Sequence, residues 1–174
     1  MGRERLAARV KLFAGLIYAD TSRYSESRRL LERVFGRSDY ESAELDFTHT
    51  DYYEPEMGRA LKRRFISFGK PADPEGICKV KLVTNRIEKR LSTAGKRLVN
   101  IDPGYLDLSK LVLFTTKDYS HRIYLGKSIY AENTLYYKDG SFRPWPWTYP
   151  DYGTKEYAEI FESIRDIFKS NTGC

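Results

Sequence analysis

The densest run of reactive side chains in the chain is Lys117-Asp118-Tyr119-Ser120-His121-Arg122. A carboxylate within reach of an imidazole orients the ring and raises its basicity, which a general acid–base group needs. Asp118 and His121 stand across a short turn from one another, so His121 is the acid–base candidate and Asp118 its orienting partner. Arg122 can grip a phosphate or carboxylate through two parallel N–H bonds, and Lys117 adds a point charge beside it. In a strand starting here, Arg122 and Tyr124 share one face while His121, Ile123 and Leu125 share the other. The same residues would also serve a turn held by Asp118 and a strand-edge ion pair, the commoner arrangement.

A second knot, Phe47–Gly58, sets His49, Asp51 and Glu56 beside Tyr52 and Tyr53. H-x-D is a possible metal pair, but the chain has neither the cysteines nor the further histidines of a zinc site. A helix starting at Pro55 accounts for the acids as well, because helix N-termini favour negative charge. Asp102 ends a predicted strand, Glu132 lies in another, and Lys81, Asn85 and Glu88 recur on one side of a predicted helix. Those three suit either a cleft or an exposed charged edge. Trp145, Trp147, Tyr149 and Tyr152 sit among prolines, where they can stack on a base or sugar or seal the core edge. Convergence of Asp51, Glu56, Asp102, Asp118, His121 and Glu132 with Lys117, Arg122, Tyr124 and Trp147 would make a pocket for a small anionic ligand.

The elements that must position these groups are legible from pattern. Val10–Ala19 reads as a buried strand, and Asp20-Thr21-Ser22 as an N-cap. The helix that follows places Leu30, Leu31, Val34 and Phe35 on one face and stops at Gly36. Ser42–Thr48 and Leu61–Phe68 read as strands. A helix opened by Asp73-Pro74 carries Ile77, Val80, Thr84, Ile87 and Leu91 at helical spacing and ends at Gly95. Arg97–Ile101 reads as a fourth strand closed by an Asp102-Pro103-Gly104 turn. The order predicts an α+β fold, a ferredoxin-like βαββαβ sandwich over 10–102. A C-terminal β-hairpin extension (110–152) follows, with strands at Lys110–Thr116, Arg122–Leu125 and Ile129–Tyr137 and a turn at Lys138-Asp139-Gly140. Thr154 caps a final helix (154–169) whose apolar stripe is Tyr157, Ile160, Phe161, Ile164 and Phe168.

With 174 residues the chain suits one domain, 1–174. No apolar run approaches the length of a membrane helix, and no export signal is read, so a cytoplasmic home without membrane attachment is expected. Cys78 and Cys174 make no disulfide framework, which agrees with a reducing compartment. The net charge of +6 allows attraction to phosphate, in RNA or in a small nucleotide, although the basic residues are dispersed as on an ordinary solvated surface.

VKLFAGLIYA, DYYEPEMG, KVKLVTNRIE, RLVNIDPGY, KLVLFTTKDYSHRIYL, IYAENTLYY and WTYPDY, taken in order, resemble one family of prokaryotic proteins from about Val10 to the final helix. That family is known only as a domain of unknown function, with some members labelled "GTP-binding protein". The resemblance brings no catalytic residues with it. A P-loop would need G-x-x-x-x-G-K-[ST], which is absent, and Thr116-Lys117-Asp118-Tyr119 lacks the Asn and the Asp spacing of a guanine-reading N-K-x-D. A P-loop GTPase is therefore not expected. The reading is an enzyme or binding domain for a nucleotide or phosphorylated metabolite. An RNA-binding module is the alternative, and an assembly protein using an open sheet face is the third. No metal is assigned, and cofactors, reaction and oligomeric state stay undetermined.

Overall fold

Lys11–Tyr18 (β1) is buried along its whole length, because both of its faces are covered. In the computed structural model, which describes residues 2–172, β1 is an interior strand of a nine-stranded sheet. It is followed by α1 (Thr21–Phe35), β2 (Ser38–Glu41), β3 (Leu45–Asp46), α2 (Glu54–Met57), β4 (Lys62–Phe68), α3 (Cys78–Leu91) and β5 (Val99–Leu106). The second half adds β6 (Lys110–Thr115), β7 (Ile123–Gly126), β8 (Ile129–Lys138), β9 (Ser141–Pro144) and α4 (Lys155–Thr172). The sheet order is β2-β4-β1-β5-β6-β8-β7, with β3 also on β4 and β9 on β8, and every pair is antiparallel.

Strand periodicity divides most of the apolar residues between two cores, one on each face of the sheet, with a smaller cluster of Ile17, Phe47, Met57 and Leu61 beside them. Leu12, Ala14, Leu16 and Tyr18 pack with Leu30, Leu31, Ile77, Ile87 and Leu91 under α1 and α3. Phe13 turns to the opposite face and joins Phe65, Leu113, Leu135 and the α4 stripe of Tyr157, Phe161, Ile164 and Phe168. The final helix therefore forms a third layer, so the sheet face expected to lie open for assembly is covered across β1, β4 and β6. Two other placements differ from pattern: Val34 is 55% exposed, and Ile160 is only half-buried.

Local chemistry explains the remaining boundaries. Asp20 caps α1 by accepting from Ser22 N–H at 2.8 Å, and the Thr154 hydroxyl accepts from Tyr157 N–H at the start of α4. Of the expected strand Ser42–Thr48 only Leu45–Asp46 (β3) forms, and a strand not expected, β2 (Ser38–Glu41), precedes it. The break comes where the Ser42 hydroxyl accepts from Phe65 N–H, so a side chain replaces a ladder partner. α3 starts at Cys78 rather than Asp73, because Gly76 turns the chain at φ +65°, and it ends at Leu91, before the Thr93–Lys96 turn that contains Gly95.

The largest correction is Asp102-Pro103-Gly104. It is not a turn, because β5 runs straight through it, opposite β1 from Val99 to Leu106. Each residue has a tertiary reason. Asp102 receives Arg63. Gly104 lets β6 come close, since a Cβ there would lie 2.3 Å from the Val112 carbonyl oxygen and 2.7 Å from the Phe13 ring. Pro103, which has no N–H, stands just beyond the point where pairing with β6 stops.

Candidate functional site

β5 and β6 pair only at Gly104–Leu113, Tyr105–Val112 and Leu106–Leu111. Beyond Gly104 the strands part, β6 continuing with β8 while Asn100–Asp102 keeps β1 alone. A cleft of about 570 Å³ fills the divergence, a size ordinary for small-molecule sites.

Its floor is built by α3 on the unpaired edge of β5. Glu88 accepts Ile101 N–H at 2.6 Å, and Lys81 Nζ donates to the Ile101 carbonyl at 2.9 Å. Two side chains thus do what a neighbouring strand would do. Both residues are 8% exposed, and Asn85 lies with them on the cleft wall. Burial pushes the Glu88 carboxyl above its ordinary range, and Lys81 and the Ile101 N–H only partly offset it.

Deeper still is Arg63, 1% exposed. Its Nη1 donates to Asp102 at 3.1 Å and its Nη2 to the Tyr152 hydroxyl at 2.8 Å, while Nε is buried without a partner among the described residues. The rings of Phe65 and Tyr152 lie 4.8 and 5.4 Å from its Cζ, with Phe47 and Tyr157 a little farther. Gly15 makes the room, since a Cβ there would stand 2.8 Å from Nη2. Burial opposes the guanidinium charge, but Tyr152 and Asp102 hold it and its pKa is raised. Burial also pushes the Tyr152 phenol well up and that of Tyr157 up to about 12. Asn100 Nδ2 donates to Asp102, and Arg97 bridges Asn100 Oδ1 to Glu56, its Nε 2.7 Å from the Glu56 carboxylate.

The opposite wall comes from the β6–β7 turn and β8. Glu132, 2% exposed, accepts from Arg122 Nε at 2.8 Å and lies 3.1 Å from His121 Nε2. Arg122 also donates to the Lys117 carbonyl and, at 3.2 Å, to the Tyr149 hydroxyl. Lys117 Nζ lies 4.9 Å from the Tyr52 ring centroid and has no carboxylate partner among the described residues. Residues 149–152, from Tyr149 to Tyr152, close one side of the cleft, and Phe47, His49 and Tyr53 close another.

The two sequence knots therefore meet. Lys117, Arg122, Asp102 and Glu132 line the cleft. His121 does not, and its carboxylate neighbour is Glu132 rather than Asp118, which lies beside Tyr130. The reason is that β7 begins only at Ile123, so His121 and Arg122 sit in the preceding turn and both reach β8 instead of alternating. Tyr124 is 59% exposed and packs on Tyr130. Trp147 stacks on His121 at 5.4 Å and donates to the Asn133 carbonyl, outside the cleft. Asp51 is exposed at the start of α2, where its carbonyl receives Glu54 N–H, and Glu56 contributes through Arg97. No group of three or more His, Cys, Asp or Glu able to hold a metal is gathered among the described residues. Cys174 lies outside the described residues, and Cys78 is a buried free thiol.

Pattern reading missed Arg63, Arg97 and Asp151 as cleft residues, and it favoured an exposed edge for Lys81, Asn85 and Glu88. One signal was present for Arg63: in β4 it shares the inward phase with Phe65, and Gly15 in the neighbouring strand marks a close approach. A family model described as "Domain of unknown function (DUF4416)" matches residues 8–168. No curated protein and no solved structure matches the chain.

Proposed function

The chain belongs to the family described as a domain of unknown function, DUF4416, and from the cleft its residues build we propose that it binds a small anionic ligand, a nucleotide or phosphorylated metabolite. The observation that carries this reading is the convergence of five bases (Arg63, Lys81, Arg97, Lys117 and Arg122) on one cleft, against four acids (Glu88, Asp102, Glu132 and Asp151). Among the described residues Lys81 and Lys117 have no carboxylate partner, but Lys81 is spent on the Ile101 carbonyl, which leaves the Lys117 ammonium to a ligand, and Arg122 beside it is held in place by Glu132 and Tyr149. Together they form the anion-binding limb. Tyr52, Tyr53, Phe47 and Tyr149 supply flat walls for the body of the ligand. His121 stands behind Glu132 and off the cleft surface, whereas His49 lines it.

Two finer statements belong to the same proposal. We read β1–β5 with α1 and α3 as ferredoxin-like, supported by the order β2-β4-β1-β5, the alternating strand directions and a shared helical face. We also place the protein in the cytoplasm, in keeping with the unpaired buried thiol of Cys78. No helix among the described residues is long and apolar enough to cross a membrane.

The test is calorimetric titration of the full chain with inorganic pyrophosphate, alongside a panel of nucleotides and sugar phosphates. Lys117→Ala should weaken pyrophosphate about fivefold, as expected for one solvent-facing charge, and Arg122→Gln should weaken it more. Titrations insensitive to both substitutions would remove the anion site. A second reading has one observation in its favour. Tyr52, Tyr119, Trp147 and Tyr149 are exposed around Lys117 and Arg122, a surface on which single-stranded RNA could stack. Salt-dependent binding of mixed RNA that survives mutation of the cleft would favour it.

A further inference from the structure

Most charges around the cleft have partners. Arg63 has Asp102, Arg97 has Glu56, Arg122 has Glu132, and Glu88 has the Ile101 N–H. Asp151 is different. It lines the cleft and is 8% exposed, yet among the described residues its carboxylate makes no hydrogen bond and no ion pair. Its backbone is fixed, because the carbonyl accepts from both the N–H and the hydroxyl of Thr154 at the start of α4. Its charge acts on Arg63, Tyr152 and Tyr157, which line or back the same part of the cleft. In chain order it falls between Tyr149, bonded to Arg122, and Tyr152, bonded to Arg63. Its carboxylate oxygens are not among the fully enclosed polar atoms left without a partner, so they open onto the cleft on whose wall the residue stands, ready to accept from a ligand.

Building on the anion-site reading above, we infer that Asp151 accepts two neighbouring hydroxyl groups of the ligand, so that the cleft selects a phosphorylated sugar or nucleoside carrying a vicinal diol. A carboxylate has two oxygens and accepts two parallel O–H bonds readily. A ligand ammonium is disfavoured at this place, because it would enter beside the Arg63 guanidinium. A neutral hydroxyl pair meets no such repulsion. The Tyr152 and Phe47 rings next to Arg63 offer the apolar faces against which a sugar ring packs. The phosphate then falls to Lys117 and Arg122, on the far side of Tyr149.

The test uses the full chain and Asp151→Asn, which keeps the side-chain shape and leaves the backbone anchor to Thr154 in place. Ribose 5-phosphate and the four ribonucleoside 5′-monophosphates are titrated calorimetrically, each against its 2,3-dideoxy form, with inorganic pyrophosphate as the hydroxyl-free anion. The native chain should bind at least one diol probe about tenfold or more tightly than its dideoxy match, the ratio for losing a hydrogen bond to a charged group. In Asp151→Asn that ratio should fall below about threefold while pyrophosphate binds as well as before or better, since a negative charge has been removed. Preference for ribose 5-phosphate or for a nucleotide would each support the inference and identify the source of the diol. A diol ratio near one in the native chain, or one unchanged in Asp151→Asn, overturns it, even with pyrophosphate binding intact and dependent on Lys117 and Arg122. Pyrophosphate binding that is absent, or indifferent to Lys117→Ala and Arg122→Gln, sinks the underlying site as well.

Discussion

Replacing Glu88 with leucine tests whether the cleft is held open by α3. Glu88 accepts Ile101 N–H at 2.6 Å on an edge of β5 that no strand covers. Its loss removes a charge-assisted bond worth roughly 1.5–3 kcal/mol and leaves that N–H unpaired. Lys81, 8% exposed, keeps the Ile101 carbonyl but loses the neighbouring negative charge. The unpaired Ile101 N–H adds about 1–3 kcal/mol, and a buried leucine returns part of this, about 1.5 kcal/mol. The net expectation is a destabilisation of about 2–3 kcal/mol, or roughly 5–10 °C in Tm for a chain of this size. Glu88→Gln keeps the acceptor and the shape and should lie within about 1 kcal/mol of the native chain near neutrality. The pair also carries a pH signature. The folded pKa of Glu88 is raised by burial above its ordinary 4.5, so its stabilising contribution is complete below the unfolded pKa and is lost as pH rises through the folded value. Stability of the native chain relative to Glu88→Gln should therefore fall from acid towards neutral pH and then level off. Urea unfolding followed by circular dichroism across that range measures both effects. A leucine variant as stable as the glutamine variant, or a native-minus-Gln difference that rises with pH, would refute the account of the floor.

Tyr152→Phe removes the acceptor of Arg63 Nη2 and should cost about 2 kcal/mol in urea unfolding, because a buried guanidinium N–H is left unpaired. Tyr157→Phe, in the same cage, removes a buried hydroxyl that has no partner among the described residues and should be neutral or slightly stabilising, so equal losses for both would contradict the assigned bonds. Gly104→Ala should cost about 3 kcal/mol and loosen the β5–β6 junction, visible as faster amide exchange at Val112 and Leu113, because the clash is with a backbone carbonyl that cannot rotate away.

The legible parts of this fold are those in which local pattern and tertiary packing agree. β1, the Asp20 cap, the α3 stripe and the Thr154-capped final helix follow from periodicity and capping chemistry alone. In the site, Lys117, Arg122, Asp102 and Glu132 were legible because charged residues crowded at strand ends often face a common hollow. Trp147 and Tyr124 carried the same signal and spend their rings on neighbouring rings instead. His121 was read with the wrong carboxylate because sequence proximity favoured Asp118, whereas β8 brings Glu132 alongside from ten positions beyond Arg122. Glu88 and Lys81 could not be assigned to a floor from spacing alone, since their partner is a strand edge that exists only once β5 and β6 diverge.

Asp102-Pro103-Gly104 shows why local punctuation and tertiary role can part company. Pro and Gly break elements when nothing else competes, and on a chain in isolation the tripeptide is a turn. Within the sheet, β1 pairs every residue from Val99 to Leu106, and that ladder outweighs the local preference. The two residues then act on the other edge of the same strand. Glycine brings β6 in to van der Waals limits at one position, and proline withholds an N–H just before it, where β6 departs. Close approach beside a failed pairing is the geometry that splits a sheet, and the split is what admits Lys81 and Glu88 from α3 and leaves Asp102 facing Arg63. A tripeptide that punctuates nothing in the backbone thereby sets the position of the cleft, and the ligand chemistry proposed for Lys117, Arg122 and Asp151 depends on that position.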